Sequence, residues 1–248
     1  MSIFSSTAFY QQIFAEAPAP APNPFPISND GLLVYLDAGN TGSYSGTGAT
    51  WTDLTGNGYN ATLVNTPTYS SSNGGYLEFN GSNQYATVYS FPGNTFSTGN
   101  WTVQCWSYWD VLDNKCLLSQ GTGTNNGGLH LITRLVSGVN RYIFGMYNND
   151  MTSNGTAVTG QWKFTTWTYD DSSPFGKQLY VQTALDKTQN QNAYTGTANN
   201  TEIARIGWSG TNVYYFDGRI AQMYIYNRIL TSDEITSNYN ASKTRYGL

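Results

Sequence analysis

The chain has 248 residues, of which only 10% are charged and 15% are aromatic, with a formal net charge of −4. Eleven Lys and Arg without a cluster give no cationic face for a nucleic-acid backbone, and no run approaches the roughly 18 apolar residues of a membrane-spanning helix. So many aromatics also exclude a disordered polar chain; Tyr- and Thr-rich segments punctuated by Gly and Asn fit half-buried strands joined by tight turns.

The first six residues, Met1-Ser2-Ile3-Phe4-Ser5-Ser6, lack a basic stretch and a continuous apolar stretch, so no signal peptide is expected. Residues 7–16 can form about two helical turns with Ser5 or Ser6 as N-cap, which puts Phe9 and Ile13 on one face. So short a helix is marginal alone. Phe4, Phe9, Tyr10, Ile13 and Phe14 are costly to leave in water, so residues 1–17 read as a peptide that docks on another protein; a loose terminus is the plainer alternative. Residues 18–26 hold five of the eight prolines and predict a polyproline II spacer of roughly 28 Å.

From residue 27 to 248 the pattern is that of one all-β domain. Strands are expected at 31–37, 76–79, 85–88, 101–109, 129–135, 142–147, 164–169, 178–182, 204–208 and 218–226, with turn signals at the spacing of a sandwich. No helix-period segment interrupts them, which excludes a parallel βαβ sheet. One short helix closes the chain: Thr231 and Glu234 form a capping box, with Ile235 and Tyr239 on one face. Cys105 and Cys116 can bridge two strands of a hairpin or pack as two small buried side chains.

Catalytic patterns are sparse. Glu16, Glu78 and Glu202 are the only glutamates besides Glu234, and none has an acid two residues away, so the paired carboxylates of a glycosidase strand are not in evidence. Asp110 and Asp113 flank an expected hairpin turn. His130 is the only histidine and alternates with Leu129 and Leu131, which predicts a strand position facing solvent or a groove. It leaves zinc patterns and a Ser-His-Asp triad unfilled. Trp106 and Trp167 read as packing residues. Trp109, at a strand end, and Trp208, before Ser209-Gly210, are the rim candidates for stacking on a sugar.

Four segments resemble the concanavalin A-like lectin/glucanase superfamily in its laminin-G-like branch: residues 31–40, 51–58, 77–81 and, above all, the closing stretch Phe216-Asp217-Gly218-Arg219-Ile220-Ala221-Gln222-Met223-Tyr224-Ile225-Tyr226-Asn227-Arg228 with its capped helix. The resemblance implies an antiparallel two-sheet jelly-roll sandwich with ligand loops at its rim. It also implies an optional calcium ion, for which Asp110, Asp113 and Asn114, or Asn148, Asn149 and Asp150, offer oxygens that turn chemistry also explains. The glucanases of this superfamily carry Glu-x-Asp-x-x-Glu on one strand, and no such motif is present here. The layout of a sandwich behind a short extension resembles virion proteins of tailed bacteriophages. The expectation is therefore a non-enzymatic virion component, a capsid decoration or fibre module on the particle surface, present in several copies and touching host glycans. A free-standing lectin is the alternative, and a glycoside hydrolase the third reading.

Overall fold

The computed structural model describes residues 26–248 apart from 90, 92–94, 97–98, 173–175, 191, 198–199 and 208–212. The docking residues Phe4, Phe9, Tyr10, Ile13 and Phe14, all but the last residue of the proline run, and Trp208 lie outside the described residues. Sixteen strands and one α-helix follow. They are β1 (Leu32–Asp37), β2 (Thr50–Trp51), β3 (Ala61–Val64), β4 (Thr68–Ser70), β5 (Tyr76–Asn80), β6 (Tyr85–Val88), β7 (Trp101–Trp109) and β8 (Lys115–Gly121). Then come β9 (Gly128–Val136), β10 (Val139–Met146), β11 (Asp150–Thr152), β12 (Trp162–Asp170), β13 (Gly176–Val181), β14 (Ala184–Asn190), β15 (Thr201–Ile203), β16 (Asp217–Tyr226) and α1 (Ser232–Ser242).

They form two antiparallel eight-stranded sheets. The first has the order β14-β13-β12-β7-β16-β5-β4, with β1 also on β16, and the second β11-β10-β9-β8-β15-β6-β3-β2. The all-β sandwich with one short closing helix is thus as the residues implied. Alternate side chains of every long strand meet between the sheets: Trp101, Val103 and Cys105 of β7, Leu129 and Leu131 of β9, Phe144 and Met146 of β10, Trp167 and Tyr169 of β12 all join one core.

The outer face of the first sheet carries a second apolar layer, because α1 and a closing 3-10 turn lie across it. Trp106, Phe164, Tyr224 and Tyr226 point outward and pack on Ile235 and Tyr246. The helix starts where the capping box places it: Thr231 Oγ1 accepts from Glu234 N, and Glu234 accepts from Thr231 N. Arg245 clamps the end of the chain, giving both terminal nitrogens to the Asp37 carboxylate at 2.8 and 2.9 Å.

Two connections differ from expectation. The stretch between β7 and β8 crosses from one sheet to the other instead of closing a hairpin. Cys105 therefore faces the main core while Cys116 joins a small cluster with Ile132, Ile143 and Ile206 on the far face of the second sheet. Both thiols are free and buried. The strand expected at 204–208 is not found in its described residues: β15 precedes it and stops at Ile203, and Ala204 takes φ 66°, a left-handed conformation that costs a non-glycine residue energy.

Candidate functional site

That kink at Ala204 matters because it folds residues 205–207 back over the outer face of the second sheet. Ile203 and Leu118 are partners facing the core, so the next pair, Glu202 and Ser119, points outward. The same level continues across the sheet in register: Asp150 opposite Gly145, Gly145 opposite His130, His130 opposite Ser119, Ser119 opposite Glu202, Glu202 opposite Thr87, and Thr87 opposite Thr62. A row that is polar except at Gly145 thus crosses seven strands, from residues as far apart in sequence as Thr62 and Glu202.

Most of the row is covered. Ser119 is fully buried, His130 3% exposed and Glu202 8% exposed. Ser119 Oγ donates to Arg205 O at 2.8 Å and accepts from Gly207 N at 3.0 Å, which fastens the folded-back segment. Gly207 lies so close to the Glu202 side chain that a Cβ would collide with it. Glu202 Oε2 accepts from Thr87 Oγ1 at 2.9 Å, and Oε1 lies 3.3 Å from Arg205 Nη2. The Arg205 guanidinium stacks on the Tyr85 ring at 3.7 Å.

Beside Glu202 opens a cavity of about 280 Å³, lined by Ser119, Gly121, Thr122, Asn200 and Gly207 among others. A second hollow of about 240 Å³ lies on the outer face of the first sheet, where Thr168, Gln178 and Thr188 stand in one cross-strand row beside Asp170. Among the described lining residues each holds one carboxylate, Glu202 in one and Asp170 in the other.

His130, expected toward solvent or a groove, is buried instead. Alternation does set it on the face away from the core, but its ring lies across Gly145, where no Cβ would fit, to reach Asp150. Nδ1 is 2.8 Å from Gly128 O and Nε2 3.3 Å from Asp150 Oδ1. Burial raises the Asp150 pKa, but the hydrogen bond and charge of His130 and the Arg134 guanidinium outweigh it and hold the carboxyl near 2.

Trp109, expected at a rim, is also buried, at 1% exposure. Its indole packs 4.5 Å from the Phe216 ring and donates Nε1–H to Ser107 Oγ at 3.1 Å. It shares odd parity with Trp101, Val103 and Cys105, and that periodicity turns it inward. Trp106 and Trp167 are packing residues, as read from the sequence.

The two oxygen-rich sets stand at opposite ends of the second sheet. Asp113, whose carboxylate accepts from Leu135 N at 3.4 Å, lies where β9 ends. Asn148 and Asn149 lie between β10 and β11, beside the start of β9. Asp110 is engaged by Arg219 at 3.9 Å, and Asn114 is a turn residue with φ 53°. Asn148 donates to Asn125, and Asn149 to Asn126 and Asn192. Lys177 Nζ reaches Asn149 O at 2.5 Å and Asn149 Oδ1 at 3.4 Å. With Asp150 engaged by His130 and Arg134, Asn149 by Lys177 and Asp110 by Arg219, neither set fits a calcium ion. No group of three His, Cys, Asp or Glu side chains placed to hold a metal occurs among the described residues.

A two-sheet sandwich with polar hollows on its outer faces and a helix closing one side is a lectin-like domain. The family model of the concanavalin A-like lectin/glucanase superfamily matches residues 80–236, and the chain belongs to that superfamily. No curated protein sequence matches it. Among solved structures, domain 4 of AbnA, a GH43 extracellular arabinanase from Geobacillus stearothermophilus in complex with arabinotriose, is similar at 18% identity and TM-score 0.63, covering 85% of this chain and 98% of that one. The Trypanosoma rangeli sialidase in complex with sialic acid is similar at 18% identity and TM-score 0.63, over 87% of this chain and 33% of the other. The binding domain of botulinum neurotoxin DC in complex with SialylT gives 13% identity and TM-score 0.62, over 86% and 52%. The chain spans a third to a half of the length of these last two structures, and at such identities the likeness is one of fold.

Proposed function

We propose that the chain is a non-enzymatic display and recognition module. Its lectin-like sandwich is carried on the surface of a larger assembly by the segment ahead of residue 27, as a capsid decoration or fibre module of a tailed-phage particle, and touches surface glycans. The observation that carries the non-enzymatic part is the isolation of Glu202. Glycosidase chemistry needs two carboxyl groups, about 5–5.5 Å apart for retention and wider for inversion. The cavity beside Glu202 offers no second one among its described lining residues, and Glu202 itself is held by Arg205 and Thr87. Sugar contact is supported by the likeness in fold, over 85% of this chain, to a domain in complex with arabinotriose.

The display part rests on residues 1–26. Five large apolar side chains lie between Phe4 and Phe14, with Glu16 the nearest charge. Three well-buried anchors would contribute on the order of 5–9 kcal/mol, much of it offset by ordering the peptide, so a single copy binds weakly and a repeated lattice supplies the rest. The described sandwich starts with Ile27 already buried, and Ser28 N donates to Asn238 Oδ1 at 2.8 Å. The double change Phe9→Asp with Ile13→Asp is therefore expected to leave the melting of residues 27–248 unaltered and to abolish incorporation into the assembly. Normal incorporation of that variant would favour a free-standing lectin.

A further inference from the structure

We infer that the cavity beside Glu202 is a site for a single neutral sugar residue and discriminates against sialylated or other acidic glycans. The inference rests on the glycan-recognition reading above and adds the place and the ligand charge to it. Its size comes first. About 280 Å³ is at the lower edge of the range for small-ligand sites, enough for one sugar ring and too little for an extended chain.

The lining then sets the chemistry. Gly121 and Gly207 contribute backbone to the wall, while Thr122 and Asn200 supply a hydroxyl and an amide. Glu202 is the acceptor. Each oxygen of an ionised carboxylate has two lone-pair sites; Arg205 occupies one oxygen's neighbourhood at 3.3 Å and Thr87 the other's at 2.9 Å. Each oxygen keeps a site, and the carboxylate is held in a fixed plane. Such a pair of acceptors suits two neighbouring sugar hydroxyls, both donors.

Charge decides the class. The counter-ion Arg205 is not part of the lining and lies on the Tyr85 ring instead. Among the described lining residues the one charged side chain is therefore the Glu202 carboxylate. A sialic or uronic acid would bring its carboxylate toward Glu202 with no cation between them, and like charges at close range in a partly buried site repel. A neutral pentose or hexose meets no such penalty.

The test is calorimetric titration of the full chain with arabinotriose, lactose and 3′-sialyllactose, repeated on the variants E202Q and N200A. The expected result is binding of a neutral sugar by the unaltered chain, at least tenfold weaker binding by E202Q, weaker binding by N200A, and no gain from sialylation. Asn200 is exposed, so N200A keeps the test valid if the loss of Glu202 disturbs Arg205. Neutral-sugar binding unchanged in both variants, or tighter binding of 3′-sialyllactose, would overturn this inference and leave glycan recognition standing elsewhere on the sandwich. Absence of binding to all three sugars would count against both.

Discussion

Trp106→Ala is expected to lower the unfolding free energy by about 3–5 kcal/mol, the range for removing a large aromatic from a packed interior. Trp106 is completely buried on the outer face of the first sheet. Its ring stacks on Tyr246 at 4.2 Å and on Tyr239 at 5.5 Å, and tilts against Phe164 at 5.1 Å. Its Nε1–H donates to Ser242 Oγ at 2.9 Å. One side chain thus joins the helix and the closing turn to the sheet, and no smaller residue can fill the gap between them. Besides the drop in urea midpoint, amide exchange in residues 232–246 should quicken before that of the core strands. A loss below about 1 kcal/mol, within the range of ordinary surface changes, would mean that the helix is held by something other than this stack.

The stability of the protein is expected to rise with pH between about 7 and 10, and to lose that rise in Lys177→Met. Lys177 sits on β13 facing the core and is fully buried, with Nζ 3.4 Å from Phe144 O and bonded to Asn149. It ties the first sheet to the turn before β11. Burial pushes the ammonium down from 10.5 to about 7, against the pull of the Asp150 charge. Between those values the unfolded chain holds a proton that the folded chain does not, so removing protons from solution favours the fold. The penalty is fully present below pH 7 and relieved as pH approaches 10.5, an effect on the order of 5 kcal/mol. Urea midpoints at half-unit steps from pH 6.5 to 9.5 measure it. A flat profile in the unaltered chain, or the same slope in Lys177→Met, would contradict it.

The architecture was legible in the sequence wherever one face of a strand is apolar. Strands β7, β9, β10, β12 and β16 each send alternate side chains into the core, although all of them carry apolar side chains on the outer face as well, and the capping box at Thr231 marked the helix start. What stayed hidden was set by contacts between distant positions. Trp109 was misplaced because a strand end was weighed above parity, although Trp101, Val103 and Cys105 already fixed its direction. His130 had its face read correctly and its burial missed, since the group that meets it, Asp150, arrives from a different strand. Glu202 counted only as a carboxylate without a neighbour. Its surroundings depend on Thr87, 115 residues away in sequence, and on the turn at Ala204, which no glycine announces. Cross-strand register, not local pattern, assembles this site.

The account stands most directly on recognition without turnover. The measurement is one-dimensional proton NMR of the full chain with laminarin, agarose and carrageenan oligosaccharides and with arabinotriose, following ligand line width and new reducing-end signals over a day in the same tube. The predicted result is broadening of at least one neutral oligosaccharide with no new reducing ends. Steady product release that disappears on replacing Glu202 or Asp170 would contradict it and make the protein an enzyme.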